Sequence, residues 1–201
     1  MIGLINLGIN NLYSVERVLR SVGVAYETKL RDDLSAYDKL VLPGVGAFTA
    51  AMDNIREQRL DTRIKDFVDQ GGSLFGICLG MQLLFSTSIE GGQDVSGLGL
   101  IPGRVTRLAE TDACRLPHIG WNEVIQTTPS KIFNDVPSGG HFYFQHSFAV
   151  RPEDPNVIIA ESVHSERFPC AVQSGTVFGV QFHPEKSYQN GFNLMQAFLR
   201  S

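Results

Sequence analysis

Hydrophobic and polar positions change rhythm near residue 100 of this 201-residue chain. Before that point, short apolar runs alternate with helical spacings. IGLINL (2–7) is an apolar run of strand length. LYSVERVLRSVG (12–23) places Leu12, Val15, Val18 and Leu19 on one helical face, and Gly23 stands where a helix would stop. VAYET (24–28) and KLVLPG (39–44) predict strands. Residues 47–57 and 60–70 predict helices that end at QGG. SLFGI (73–77) predicts another strand, and MQLLFS (81–86) the opening of a helix. Strands alternating with helices build βαβ units and a mostly parallel sheet flanked by helices.

Beyond residue 100 the runs GRVTRL, WNEVIQT, HFYFQHSFAV, VIIAESV and CAVQSGTVFGVQF all read as strands, with a hairpin turn at QSGT. NGFNLMQAFLRS predicts a last helix with Phe192, Met195 and Phe198 on one face. No internal repeat, low-complexity stretch or linker interrupts the pattern. The expected organisation is a single domain over 1–201, an α/β fold with additional antiparallel strands in its second half.

Composition narrows the function classes. Hydrophobic residues make up 43% and charged residues 19%, ordinary values for a globular chain, and this length buries a sizeable core without disulfides or metals. A formal net charge of −4 gives no basic footprint for nucleic acid or an anionic membrane. The three cysteines, Cys78, Cys114 and Cys170, are far apart, which argues against a disulfide scaffold or a zinc site. The opening MIGLINLGINN has no basic n-region of a secretion signal, and no run approaches the roughly 18 apolar residues of a membrane span. The expected location is the cytoplasm. GLGLIPG (97–103) lacks the spacing of a dinucleotide loop, and no GxxxxGK[ST] is present, so no cofactor is expected.

Candidate chemistry begins with GSLFGICLGMQLLF (72–85). Gly76-Ile77-Cys78-Leu79-Gly80 is a Gly-x-nucleophile-x-Gly pattern where an apolar strand gives way to a helix. A nucleophile on such a turn is forced outward, and larger neighbours than glycine would collide there. The N-terminus of the following helix favours thiolate over thiol and offers N–H groups to an oxyanion. A core cysteine in a tight turn is the plainer reading. Cys114 and Cys170 sit in no such elbow and read as non-catalytic.

A nucleophilic cysteine needs a base, and the base an orienter. Of the five histidines, His183 stands out in VFGVQFHPEKS (177–187). If the strand runs on through Pro184, Glu185 lies two residues away on the same side and can hold the imidazole. LVLPGVGAF (40–48) ends a strand in Pro43-Gly44-Val45-Gly46, where glycines can turn N–H groups toward an oxyanion. It also reads as an ordinary βα turn.

GICLGMQ, FHPEKS and LPGVG together resemble the class I, triad-type glutamine amidotransferases. LPHIGWNEV (116–124) and FYFQHSFAV (142–150) are further similar to the glutaminase subunits of imidazole glycerol phosphate synthases. The likeness runs from NNLYSV to the last helix and implies the flavodoxin-like fold of that family. It implies that Cys78 attacks the side-chain amide of glutamine, that His183 is the acid–base and that Glu185 orients it, giving glutamate and ammonia through a thioester. It assigns the oxyanion hole to Val45, Gly46 and Leu79. Gly44, Gln82, His146, Ser147 and Phe148 are assigned to glutamine. It implies a heterodimer with a (β/α)8-barrel cyclase subunit of histidine biosynthesis, which uses the ammonia and whose ligand switches the glutaminase on. Pro117, His118, Trp121, Asn122 and Lys186 would face that partner. By packing alone, Trp121 could instead anchor the core, and Phe142, Tyr143 and Phe144 read as packing residues. The first loop departs from the family pattern at Asn6 and Asn10. Alternatives are a glutaminase subunit of a different synthase, such as one amidinating surface sugars, a non-catalytic interaction subunit, or a thiol peptidase or γ-glutamyl hydrolase.

Overall fold

The computed structural model describes residues 1–8 and 12–201, so Asn10 lies outside the described residues. Asn6 is described, and its Oδ1 accepts the Gly8 N–H at 2.8 Å. The first half contributes β1 (Ile2–Leu4), α1 (Leu12–Val22), β2 (Tyr26–Glu27), β3 (Lys39–Gly44), α2 (Phe48–Glu57), α3 (Leu60–Asp69), β4 (Ser73–Cys78) and α4 (Leu79–Leu83). The second half adds β5 (Phe85–Ser88), β6 (Val95–Ser96), β7 (Ile101–Arg107), β8 (His118–Gln126), β9 (Gly140–His146) and β10 (Phe148–Pro152). It continues with β11 (Ile158–Val163), β12 (Arg167–Ser174), β13 (Val177–Val180) and α5 (Tyr188–Arg200).

Nine strands form one sheet in the order β2-β1-β3-β4-β13-β12-β11-β8-β9. The pairs from β2 to β13 are parallel, and those from β13 to β9 antiparallel. A second sheet has the order β10-β7-β5-β6. The central strands are apolar throughout because both faces are covered. Alternation along them divides the core. Val41, Phe75 and Ile77 face one side with Val15 and Leu19 of α1 and Leu194 and Phe198 of α5. Leu40, Leu42 and Leu74 face the other with Phe48 and Ile55 of α2 and Ile64 of α3.

Two sequence expectations are corrected. MQLLFS does not open a long helix. The carbonyls of Leu83 and Leu84 accept the N–H groups of Leu98 and Leu100, each at 2.8 Å, so the helix is capped after five residues and the chain leaves as β5. HFYFQHSFAV is not one strand. It breaks at Ser147, with β9 pairing β8 in the large sheet and β10 pairing β7 in the small one. Phe142 and Phe144 are fully buried against Phe182, as packing residues should be. The QSGT hairpin forms as expected, with Ser174 opposite Val177 and Gly175 at φ +55°.

Candidate active site

Cys78 ends β4 and immediately precedes α4, and it holds φ 54° and ψ −110°, a strained conformation for a residue with a Cβ. Such a conformation costs about 1–3 kcal/mol and persists because its surroundings leave no alternative. Here the surroundings are backbone. A Cβ on Gly80 would sit 1.8 Å from the Leu42 carbonyl oxygen, and one on Gly76 would sit 2.6 Å from the Gly80 carbonyl oxygen. Only glycines at 76 and 80 let α4 lie this close to β3 and β4, and that closeness turns Cys78 outward.

β13 lies beside β4 in parallel register, with Val180 opposite Ile77. Cys78, the last residue of β4, and His183, three residues past the end of β13, therefore meet. The route to Glu185 differs from the sequence reading. The strand stops at Val180, and Pro184–Lys186 form a 3-10 turn. Pro184 suits the first position of that turn because an N–H there would have no helical partner, so proline's lack of one costs nothing. The turn swings Glu185 back so that its Oε1 accepts from His183 Nδ1 at 2.8 Å, with both residues buried. The His183 backbone is clamped as well. Its N–H donates to the Tyr143 carbonyl at 2.8 Å, and its carbonyl accepts the Ser187 hydroxyl at 2.6 Å.

With Nδ1 taken by Glu185, Nε2 is the nitrogen available to Cys78. Burial lowers the His183 pKa, but the charge and hydrogen bond of Cys78 and those of Glu185 outweigh it and raise it to about 10. The ring is an imidazolium near neutrality. The other carboxylate oxygen of Glu185 is buried without a hydrogen-bond partner among the described residues.

Cys78 opens onto a cleft of about 280 Å³ that His183, Val45, Gly46, Leu79 and Gln82 also line, with Gln145, His146, Ser147 and Phe148 on its far wall. Gly46 stands at φ +97°. Both N–H bonds of the Gln82 amide are used inside the protein, to the carbonyl of Phe148 and to Gln181 Oε1, each at 3.0 Å. Donor counting leaves Gln82 its Oε1, an acceptor, to offer a ligand. Gln181 Nε2 in turn donates toward Cys78 Sγ at 3.7 Å. His146 Nδ1 donates to the same Phe148 carbonyl at 2.8 Å. Burial drives the His146 pKa down to about 3, so it is a neutral, structural imidazole.

The structure thus gathers Cys78, His183, Val45, Gly46, Leu79, Gln82, His146, Ser147 and Phe148 at one cleft, with Glu185 behind His183. Gly44 is not among the residues lining this cleft; it lies opposite Cys78 on β3, where a Cβ would come within 2.9 Å of Leu79 Cβ and Gly80 N. His118, expected to face a partner, is only 4% exposed in this chain and is stacked between Phe144 and His164. Pro117 is exposed at the cleft, and Asn122 is half-buried. Trp121 is not a core anchor. It is 45% exposed and stacks flat on Tyr188, with centroids 5.0 Å apart, while Lys186 Nζ lies over the Tyr143 ring. Cys170 is fully buried, its thiol pushed well up by desolvation, and Cys114 Sγ points at the His164 carbonyl, 3.6 Å away.

Two residues escaped the sequence reading. Gln181 is a fully buried amide in the otherwise apolar run VFGVQF, and that exception was its signal. Glu90 lines the cleft and accepts the Phe48 N–H at 2.8 Å. In SIEGGQD nothing in sequence separates it from a solvated loop carboxylate. Among the described residues no helix is long and apolar enough to cross a membrane.

A family model described as glutamine amidotransferase class-I matches residues 4–200. The chain is 42% identical over 200 residues to the imidazole glycerol phosphate synthase subunit HisH of Moorella thermoacetica, covering 98% of this chain and 93% of that protein. It is 41% identical over 205 residues to the subunit of the same name from Bacillus subtilis, covering 100% and 96%. A crystal structure of a glutamine amidotransferase superposes with a TM-score of 0.77 at 22% identity, over 99% of this chain and 97% of that one, a likeness of fold. Because the family match and the relatives above 40% identity run essentially end to end, the chain belongs to the class-I glutamine amidotransferases.

Proposed function

We propose that this chain is the glutaminase subunit of an imidazole glycerol phosphate synthase, acting as one domain over 1–201. It hydrolyses glutamine and hands the ammonia to a (β/α)8-barrel cyclase subunit, which makes imidazole glycerol phosphate and an aminoimidazole carboxamide ribotide. The observation that carries the chemistry is the buried His183–Glu185 pair, 2.8 Å apart, set beside a strained nucleophile elbow at Cys78. The full-length likeness to subunits of that name carries the pathway.

The Cys78 thiolate attacks the carboxamide carbon of glutamine. The carbonyl oxygen becomes an oxyanion beside the N–H groups of Leu79 and of the Val45–Gly46 loop. His183 gives its Nε2 proton to the departing nitrogen, the C–N bond breaks, and ammonia leaves a γ-glutamyl thioester on Cys78. The now neutral His183 takes a proton from water, which attacks the thioester, and the C–S bond breaks to release glutamate and thiolate. At the amino-acid end, Glu90 and Gln82 Oε1 supply acceptors for the α-ammonium, and the 146–148 backbone borders the same space. Trp121, with Tyr188, Lys186 and Pro117 nearby, forms the exposed face toward the cyclase subunit.

The test is Cys78→Ala in the complex reconstituted with a cyclase subunit and its ligand. Glutamine-dependent synthesis and glutamate release should vanish, while synthesis from added ammonium salt persists. Retained glutamate release would overturn the assignment of the nucleophile. Failure of the wild-type complex to use glutamine while using ammonium salt would overturn the function.

A further inference from the structure

We infer that His118 is a positioning residue of the glutamine site: with Asn122 behind it, it holds His146, and through His146 the Phe148 carbonyl and the amide of Gln82. The inference rests on the glutaminase reading above. His118 Nδ1 lies 3.1 Å from His146 Nε2, and Asn122 Nδ2 lies 3.2 Å from His118 Nε2.

The direction of every bond in this chain follows from what each atom can donate. The Phe148 carbonyl only accepts, so His146 Nδ1 carries a hydrogen. Burial keeps both histidines neutral, His118 with a pKa of about 4. A neutral ring has one N–H, so His146 Nε2 is bare and accepts from His118 Nδ1–H. His118 Nε2 is then bare in turn and accepts from the Asn122 amide. The second Asn122 hydrogen goes to the Val163 carbonyl at 2.7 Å. Stacking on Phe144 and His164 fixes the plane of the His118 ring.

At the inner end, the Phe148 carbonyl spends its two lone pairs on His146 and Gln82. Gln82 spends its second hydrogen on Gln181, whose own amide reaches Cys78 Sγ. Among the described residues, each ring nitrogen of His118 and His146 has one polar partner on this line. Losing the His118 donor leaves His146 Nε2 unpaired in a buried site, and the ring can relax only by rotating away from Phe148. Gln82 Oε1, the acceptor facing glutamine, then loses its fixed aim.

The test uses the complex with the cyclase subunit and its ligand. His118→Phe keeps the stacked ring and removes both nitrogens. His118→Asn keeps a donor near the Nδ1 position. Loss of one buried hydrogen bond predicts a rise in glutamine KM of about tenfold for His118→Phe, with kcat changed less than about threefold. His118→Asn should recover most of that loss, and ammonium-dependent synthesis should stay at the wild-type rate in both. On the wild-type chain, nitrogen NMR of labelled histidines should show His118 and His146 both as Nδ1–H tautomers. An unchanged KM in His118→Phe, equal impairment of the two variants, or an Nε2–H tautomer at either ring would overturn the inference. If the wild-type complex proved unable to use glutamine, the functional reading would fall, and the tautomers would still decide the hydrogen-bond chain.

Discussion

Adding one methyl group at Gly80 tests the elbow directly. In Gly80→Ala the new Cβ would lie 1.8 Å from the Leu42 carbonyl oxygen, whereas real Cβ contacts stay above 3.0 Å. The gap to be made up is therefore at least 3.0 − 1.8 = 1.2 Å. Leu42 cannot yield it, because it sits inside β3 between paired neighbours, opposite Gly76 of β4. The movement falls on α4, whose start carries Cys78 and the Leu79 N–H. Misplacing reacting groups by about 1 Å costs on the order of 100-fold in rate. Overpacking of this kind costs about 1–3 kcal/mol, or roughly 2–12 °C in melting temperature for a chain of this size. Glutamine-dependent kcat, the rate of Cys78 alkylation by iodoacetamide, and thermal melting would be measured together, with ammonium-dependent synthesis reporting partner function. Gly23→Ala is the control. It has positive φ but open space around its Cβ, so it should lose about 1 kcal/mol and no kcat. A Gly80→Ala enzyme with wild-type kcat and melting temperature would refute the close approach of α4 to β3 as the cause of the elbow.

Three further outcomes follow from the site. His183→Asn should cut kcat by about 10²- to 10⁴-fold, the usual worth of a general acid–base, whereas Glu185→Gln keeps an acceptor for Nδ1 and should cost less. It should also lower the upper inflection in the pH profile of Cys78 alkylation, because the Glu185 charge helps hold the His183 pKa up. Equal losses in the two variants would contradict the division of roles. Folding stability carries the same signature. The His183 pKa rises from 6.5 to about 10 on folding, so protonation favours the folded state. That contribution is complete below pH 6.5 and lost as pH climbs through about 10, so urea midpoints of wild type and His183→Asn should converge at the alkaline end. For Glu90→Gln, loss of a charge-assisted bond to the substrate ammonium predicts a glutamine KM raised about 10- to 100-fold with kcat little changed. An unchanged KM would remove Glu90 from the substrate site.

The early elements and the closeness of His183 to Glu185 were legible because each depends on local pattern. Gly76-Ile77-Cys78-Leu79-Gly80 announces its turn through residue size alone, and the helical spacings of residues 12–22 and 48–57 survive in the structure. What stayed hidden depends on pairing over long separations. HFYFQHSFAV looks continuous because both of its halves are strands, and only the positions of β7 and β8 force the break at Ser147. MQLLFS has helical spacing, but carbonyls claimed by Leu98 and Leu100 end its helix. Glu185 was placed correctly for the wrong reason, since Pro184 starts a 3-10 turn where the sequence reading continued a strand. The fate of His118 turned on a stacked neighbour, His164, 46 residues away in sequence.

The break at Ser147 also explains why the cleft exists. Ligands of open α/β sheets sit beyond the carboxyl ends of the strands, and here β4 and β13 end side by side to deliver Cys78 and His183. On the proposed function those two ends provide the nucleophile and the proton carrier but no wall to hold an amino acid against them. The chain that crosses from β9 in the large sheet to β10 in the small one supplies the wall, because strand pairing stops at the step. Backbone carbonyls at Gln145 and Phe148 are thereby aimed at Cys78 Sγ and at the Gln82 amide. On the proposed function, chemistry sits at the ends of β4 and β13 and substrate recognition at the crossing from β9 to β10, so substitutions at that crossing should act on glutamine KM, while those at the ends of β4 and β13 should act on kcat.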